Sequence, residues 1–225
     1  MSTIISSSRR LRVDAKPTSR IVKSDRTRAA ILDAALEFVW SRPFHEMTVS
    51  SLMASTGVGR SAFYPYFSDL HAVMAELLDM LAGEISDVVQ PWFVGVGDPV
   101  ALLDETVSGM VRICYQRGPF LRAISEAATT DKRFEKDWRQ FLAGFDELGF
   151  ALITRDQQQG LTPRFDPRPV IVALNRLNAH TLIEAFGRRP RNKPEPVRKA
   201  LSRIWISTLY GAEWVDKASS TLVRK

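Results

Sequence analysis

The chain has 225 residues, 45% of them apolar and 25% charged, the mix of a soluble globular protein with one or two folding units. No stretch approaches the ~20 uninterrupted apolar residues a membrane span needs. Met1–Ile5 is too short for a signal-peptide core, and the lone Cys114 excludes an intramolecular disulfide and fits a reducing cytoplasm. Thirty-one Lys and Arg against 25 Asp and Glu leave a net charge of +6, and residues 1–30 carry all of it.

That N-terminal segment holds Arg9, Arg10, Arg12, Lys16, Arg20, Lys23, Arg26 and Arg28 against Asp14 and Asp25. Residues 1–23 are also rich in Ser and carry Pro17, so they read as a disordered basic arm. Such an arm suits a polyanion, either nucleic acid or an anionic membrane surface. The plainer reading is a solvated tail, and the residues of the arm alone leave both standing.

Helices follow one another along the rest of the chain. Ile31, Leu32, Ala35, Leu36 and Val39 sit at helical spacing after Ser24-Asp25, and Arg42-Pro43 stops that helix. Thr48 caps a short helix through Leu52 and Met53, and Ser55-Thr56-Gly57-Val58-Gly59 reads as a turn. A third short helix is expected over about residues 60–67, and Ser68-Asp69 starts a long one that Pro91 ends. Asp98-Pro99 opens the next, which Gly118-Pro119 ends while opening another. Asp131 caps an amphipathic helix broken at Gly160, Asp166-Pro167 starts one reaching Gly187, and Pro194 and Pro196 precede the last. Neither hairpin-bounded alternation nor a fixed repeat occurs. The expectation is an all-α protein of about nine helices.

Enzyme signatures are missing. His45, His71 and His180 lie far apart, so no zinc-ligand spacing exists, and the chain has no phosphate-cradling Gly-rich motif, G-x-S-x-G elbow or H-E-x-x-H. No catalytic residue, metal or cofactor is expected. Residues 25–70 instead place two short helices on either side of a glycine-containing turn, which is helix-turn-helix geometry whose second helix can enter the major groove.

The segment Thr48-Val-Ser-Ser-Leu-Met-Ala-Ser-Thr-Gly-Val-Gly-Arg-Ser-Ala-Phe-Tyr-Pro-Tyr-Phe67 resembles the TetR family of bacterial transcriptional repressors. Ala173–Asn178 with Thr181-Leu182, and Ile204–Gly211, are similar to the last two helices of its ethionamide-resistance repressor subgroup. Similarity therefore covers about residues 25–214. It implies a DNA-binding domain over residues 24–68, a ligand-binding and dimerising domain over 69–214, and a C-terminal tail over 215–225. It also implies a cytoplasmic homodimer joined through its last two helices, which binds a palindromic operator in double-stranded DNA. A small, largely apolar effector would release it. A helical DNA-binding activator or architectural protein without an inducer is the runner-up, and an enzyme with a vestigial DNA-binding domain comes third.

The chain departs from the family in places. The phosphate-binding Lys that usually follows the F-Y-x-Y-F segment is replaced by Leu70, followed by His71, read as an ordinary solvated histidine. Residues 31–67 carry only Arg42 and Arg60 against Asp33, Glu37 and Glu46, which throws the burden of DNA affinity onto the arm. Pro65 should leave the recognition helix short or bent, and Gly59 offers no capping side chain.

Arg60 is the candidate for a bidentate guanine contact, with a phosphate clamp as the alternative. Ser61, Tyr64 and Tyr66 are further DNA-binding candidates, as are the Thr48 cap and Arg20, Lys23 and Arg26 of the arm. Phe63 and Phe67 are expected in the core. Asn175 and Asn178 share an apolar helix face, where they must bond each other, bind water or meet a ligand; the resemblance favours the ligand. Trp138, Phe141, Phe145 and Trp205, with Met110, Tyr115 and Phe120, are candidates for the pocket walls, against an ordinary aromatic core. The basic cluster Arg188, Arg189, Arg191 and Lys193 reads as a solvated loop far from the operator.

Overall fold

The computed structural model describes residues 19–95 and 97–211, with side chains from residue 25 onward. The remaining arm and tail residues, and the side chains of Arg20 and Lys23, lie outside the described residues. Within them the protein is all-helical. Seven α-helices run in order: α1 (Ser19–Ser41), α2 (Val49–Thr56), α3 (Leu70–Val94), α4 (Pro99–Ala127), α5 (Lys132–Gln158), α6 (Pro167–Phe186) and α7 (Pro194–Leu209). Single 3₁₀ turns lie at Phe44–Glu46 and Arg60–Ala62.

The helix starts follow the expected capping chemistry. The Thr48 hydroxyl accepts from Ser51 N at 3.0 Å while Ser51 Oγ accepts from Thr48 N at 3.0 Å, a closed capping box. The carboxylates of Asp69, Asp98, Asp131 and Asp166 each accept from backbone N–H groups of the first turn they precede. The Ala72 N–H, and then Arg133, hold the Asp69 carboxyl below its ordinary range.

Five boundaries differ from the sequence expectation. Helix α2 runs on to Thr56, with the Ser55 and Thr56 hydroxyls donating back to Leu52 O at 2.7 Å and Met53 O at 2.8 Å, so the turn starts only at Gly57. Helix α1 begins at Ser19 rather than near Ser24, since nothing between these residues breaks a helix. Residues 60–67 form one 3₁₀ turn followed by further turns, not a regular helix, because Pro65 has no N–H for an α-helical bond to Ser61. Helix α3 continues past Pro91 to Val94 and closes on Gly95, in the left-handed conformation at φ 73°, whose N–H reaches Pro91 O at 3.1 Å. Most consequentially, α4 does not break at Gly118-Pro119, so two expected helices are one rod of 29 residues.

Two contacts explain that continuity. A Cβ on Gly118 would lie 2.3 Å from the Phe186 carbonyl oxygen, so the end of α6 crosses α4 against bare backbone. Pro119 supplies no N–H to Tyr115 O, and Arg191 Nη1 donates to that oxygen instead at 2.6 Å.

Helix α4 is the centre of the molecule, packing against α1, α3, α5, α6 and α7. One continuous apolar cluster runs from Ile31, Leu52, Phe63 and Phe67 in the N-terminal unit to Leu201, Trp205 and Leu209 in α7. At the far end of this cluster Asp156 is fully buried and paired with the Arg155 guanidinium at 2.7 Å. Tyr210 OH donates to Asp156 at 2.8 Å and accepts from Trp92 Nε1 at 3.1 Å. Burial raises the Tyr210 hydroxyl pKa, so it stays a donor. This network fastens the C-terminal ends of α3, α5 and α7 together. No helix among the described residues is long and apolar enough to cross a membrane.

Replacing Gly118 with Ala puts a methyl group against backbone that cannot rotate away. Thermal or urea unfolding of Gly118→Ala should show a loss of about 1–3 kcal/mol, whereas Gly144→Ala, with open space around its position, should leave stability near wild type.

Candidate functional site

Two regions carry the candidate residues. In the N-terminal unit, α2 leads through Gly57 (φ 70°) into the recognition segment. Phe63 and Phe67 are buried in the common core, as expected, and hold the segment from beneath. Arg60, Ser61 and Tyr64 are exposed on its outer side, as is Thr48 at the start of α2. Arg60 Nη2 donates to Tyr64 OH at 3.2 Å, so the two side chains present a joined polar surface. Tyr66 is half-buried and leans on the core, leaving less of its ring for a partner. Arg26 is exposed on α1.

Leu70 is half-buried against the core. His71 is also half-buried rather than solvated: its Nε2 lies 2.8 Å from Asp137 and its ring meets the Phe134 edge at 4.7 Å. Apolar packing and the carboxylate on α5 draw both residues inward.

The second region is a cavity of about 90 Å³ bounded by α3, α4, α5, α6 and α7. Seven of the expected wall residues line it: Asn175, Asn178, Trp138, Phe141, Phe145, Trp205 and Met110. Tyr115 and Phe120 do not. Phe120 is buried elsewhere in the core, and Tyr115 packs edge-on against Phe186 at 5.3 Å. The uninterrupted α4 rod sets this, because residues 115 and 120 point away from the face that carries Met110 and Cys114. Trp92, Thr106, Cys114 and Leu121 also line the cavity. Sequence reading missed them; the turn-by-turn spacing of residues 106, 110, 114 and 121 in α4 could have signalled three of them, whereas Trp92 stands on α3 with no local signal. Burial pushes the Cys114 thiol up to about 12, so it lines the wall as a neutral group.

The two amides do not bond each other. Asn178 Oδ1 accepts from Trp205 Nε1 at 2.9 Å, and its Nδ2 faces only the Met110 sulfur at 3.8 Å. Asn175 Nδ2 donates to Asp146 at 2.9 Å, a carboxylate also held by Arg176 at 2.7 Å. The Asn175 carbonyl oxygen has no donor among the described residues. A groove between α3 and α5 adjoins the cavity and shares Phe141, Phe145 and Leu148 with it.

The basic loop after α6 is not simply solvated. Its Arg191 guanidinium lies 4.8 Å from the Trp40 ring of α1 and 3.8 Å from the Tyr115 ring of α4, and Arg189 lies 5.2 Å from Trp40. The loop therefore abuts the N-terminal unit, drawn there by the aromatic face and the free Tyr115 carbonyl.

Comparison with known proteins agrees with this arrangement. Residues 31–77 match the profile of bacterial regulatory proteins of the tetR family, and residues 103–211 match that of the C-terminal domain of the transcriptional regulator EthR. The HTH-type transcriptional regulator EthR of Mycolicibacterium smegmatis is 26% identical over 190 residues, covering 83% of this chain and 88% of that protein. Among solved structures, a TetR-family regulator from Syntrophomonas wolfei superposes with a TM-score of 0.71 at 16% identity, over 81% of this chain and 94% of that one. PfmR from Thermus thermophilus gives 0.61 at 16% identity, over 87% and 98%. AibR, solved with isovaleryl coenzyme A and operator DNA, gives 0.62 at 13% identity, over 82% and 98%. With a helix-turn-helix unit at one end and a helical effector-type domain at the other, the chain belongs to the TetR family of transcriptional regulators.

Proposed function

We propose that this regulator is a homodimeric repressor that binds a palindromic operator and is released by a small, largely apolar effector. The observation that carries the reading is the cavity. Its walls are almost wholly apolar, the Asn175 amide offers orientation, and one wall helix, α3, begins directly behind the recognition segment. A ligand larger than the empty space must part α3 from its neighbours. It thereby favours a state whose recognition segments are wrongly spaced for two half-sites.

Arg60, Ser61, Tyr64, Tyr66 and Thr48 take the operator contacts in this reading, supported by Arg20, Lys23 and Arg26. Asn175, with its free carbonyl oxygen, is the polar handle, while Asn178 is committed to Trp205. Dimerisation through α6 and α7 is supported by Leu177 and Ile204, large apolar side chains that stay exposed on those helices. Binding of operator and acyl-CoA by AibR, and of choline by a regulator from Saccharomonospora viridis, supports the same use of the fold here. Selection of duplexes from a random pool, followed by stoichiometry of the complex, tests the reading; enrichment of a two-fold symmetric site bound by an even number of chains is the expected result.

Variants can then be compared on the selected duplex. Deleting residues 1–18, which leaves α1 whole, should weaken binding and flatten the plot of log affinity against log salt by roughly 0.9 for each phosphate no longer neutralised. An unchanged slope would make the arm a passive tail. Arg60→Ala should cost about 1–3 kcal/mol and relax preference at one position in each half-site, whereas uniform weakening across operator variants would identify a phosphate clamp. In the effector domain, Asn178→Leu strands the Trp205 N–H and should lower stability by about 1–3 kcal/mol. Asn175→Leu should keep stability closer to wild type while weakening derepression by a polar-headed effector, read by melting temperature and effector titration on both variants.

A further inference from the structure

The loop between α6 and α7 joins parts of the molecule that are otherwise far apart in the chain. It is braced on α4: Arg122 Nε donates to Gly187 O at 2.9 Å, and Glu126 receives both Arg122 at 3.2 Å and Arg188 at 2.9 Å. Asn192 N returns to Ala185 O at 2.9 Å, closing the loop on the end of α6. From this braced position Arg191 makes three contacts. Its Nη1 donates to the carbonyl that Pro119 leaves free, and its guanidinium meets the Tyr115 ring on α4 and the Trp40 ring on α1. Arginine suits this place because its planar cation can stack on aromatic faces while donating in its own plane, which a lysine ammonium cannot do.

The geometry points to Arg191 as the positioning residue that fixes the angle of the DNA-reading unit and passes the state of the cavity to it, an inference resting on the regulatory function proposed above. Cys114 and Met110 are cavity walls on α4, the first adjacent to Tyr115 and the second just over one helical turn before it. Any ligand that displaces this stretch of α4 moves the Tyr115 carbonyl and ring, and hence the guanidinium seated on both. Trp40 stands on the last turn of α1, just before the chain passes through Arg42-Pro43 towards α2. Displacement there rotates the helix-turn-helix as a unit. The route is separate from α3, the helix that follows the recognition segment in sequence.

Hydrogen exchange on the full chain reads this joint without DNA. In Arg191→Met, which keeps an unbranched apolar stem but removes the cation and donor, amides of residues 38–42 should exchange at least about tenfold faster than in wild type. Affinity for the wild-type-selected duplex should fall while affinity for an unrelated duplex holds. Trp40→Phe keeps a flat ring beneath the guanidinium and should stay near wild type. Trp40→Ala should reproduce Arg191→Met, and the double variant should be no worse than either single one. Arg139→Ala removes only an exposed pair with Glu135 on α5, away from the loop, and serves as the control. Exchange and specific affinity of Arg191→Met within about twofold of wild type, or additive effects in the double variant, overturn the inference. If Arg191→Met does not fold, the contrast between Trp40→Phe and Trp40→Ala decides from the other side of the contact. Failure of the wild-type chain to select any duplex counts against the regulatory function instead, and exchange still decides the joint.

Discussion

A proline in the middle of α4 deprives the Tyr115 carbonyl of its helical donor, and the guanidinium of Arg191 supplies one from another part of the chain. A buried or half-buried carbonyl without a partner costs free energy comparable to that of a broken hydrogen bond. The interaction therefore lets α4 continue where its sequence favours a break. Because α4 touches nearly every other helix, its continuity sets the cavity walls, the seat of α6 against Gly118 and the junction with α1. The same guanidinium stacks on Trp40, so the residue that repairs the helix also ties the two units of the molecule together.

A second joint lies on the opposite side of that junction. Phe44 of the N-terminal unit meets Phe134 of α5 edge-on at 5.2 Å, and Phe134 in turn carries the ring of His71. Arg28 of α1 pairs with Glu76 of α3 and lies over the Phe67 ring. The N-terminal unit is thus held by aromatic and charge-assisted contacts in addition to the apolar cluster it shares with the other helices. Such contacts are directional and individually modest.

The cavity is held open from its ends. At one end Asp156, Arg155, Tyr210 and Trp92 form a fully paired polar network; nearer the middle Trp205 is fixed by Asn178. Indole and phenol groups therefore have their polar atoms satisfied by protein, leaving apolar faces turned inward. An apolar space of this kind holds water poorly, so an apolar occupant gains by filling it. DNA recognition has the opposite character. The short recognition segment offers few cations, and the basic excess of the chain lies at its N-terminal end.

Local chemistry was readable without coordinates. The helical class, the capping by Thr48 and the four aspartates, the core positions of Phe63 and Phe67, and the shortening of the recognition segment by Pro65 all depend on residues a few positions apart. Seven of the nine proposed cavity residues do line the cavity; periodicity gave only their shared inward faces, and the family resemblance favoured a pocket over an ordinary core there. What the sequence could not decide depends on partners distant in the chain. Gly118-Pro119 signals a helix break, and only the arrival of Phe186 and Arg191 reverses it; that reversal in turn moves Tyr115 and Phe120 off the cavity wall. The basic loop looked solvated because no local pattern announces that Trp40, about 150 residues earlier, stands beneath it. His71 was likewise settled by Asp137 and Phe134, since tertiary packing determines which donor meets which acceptor, whereas sequence spacing determines only which face a side chain occupies.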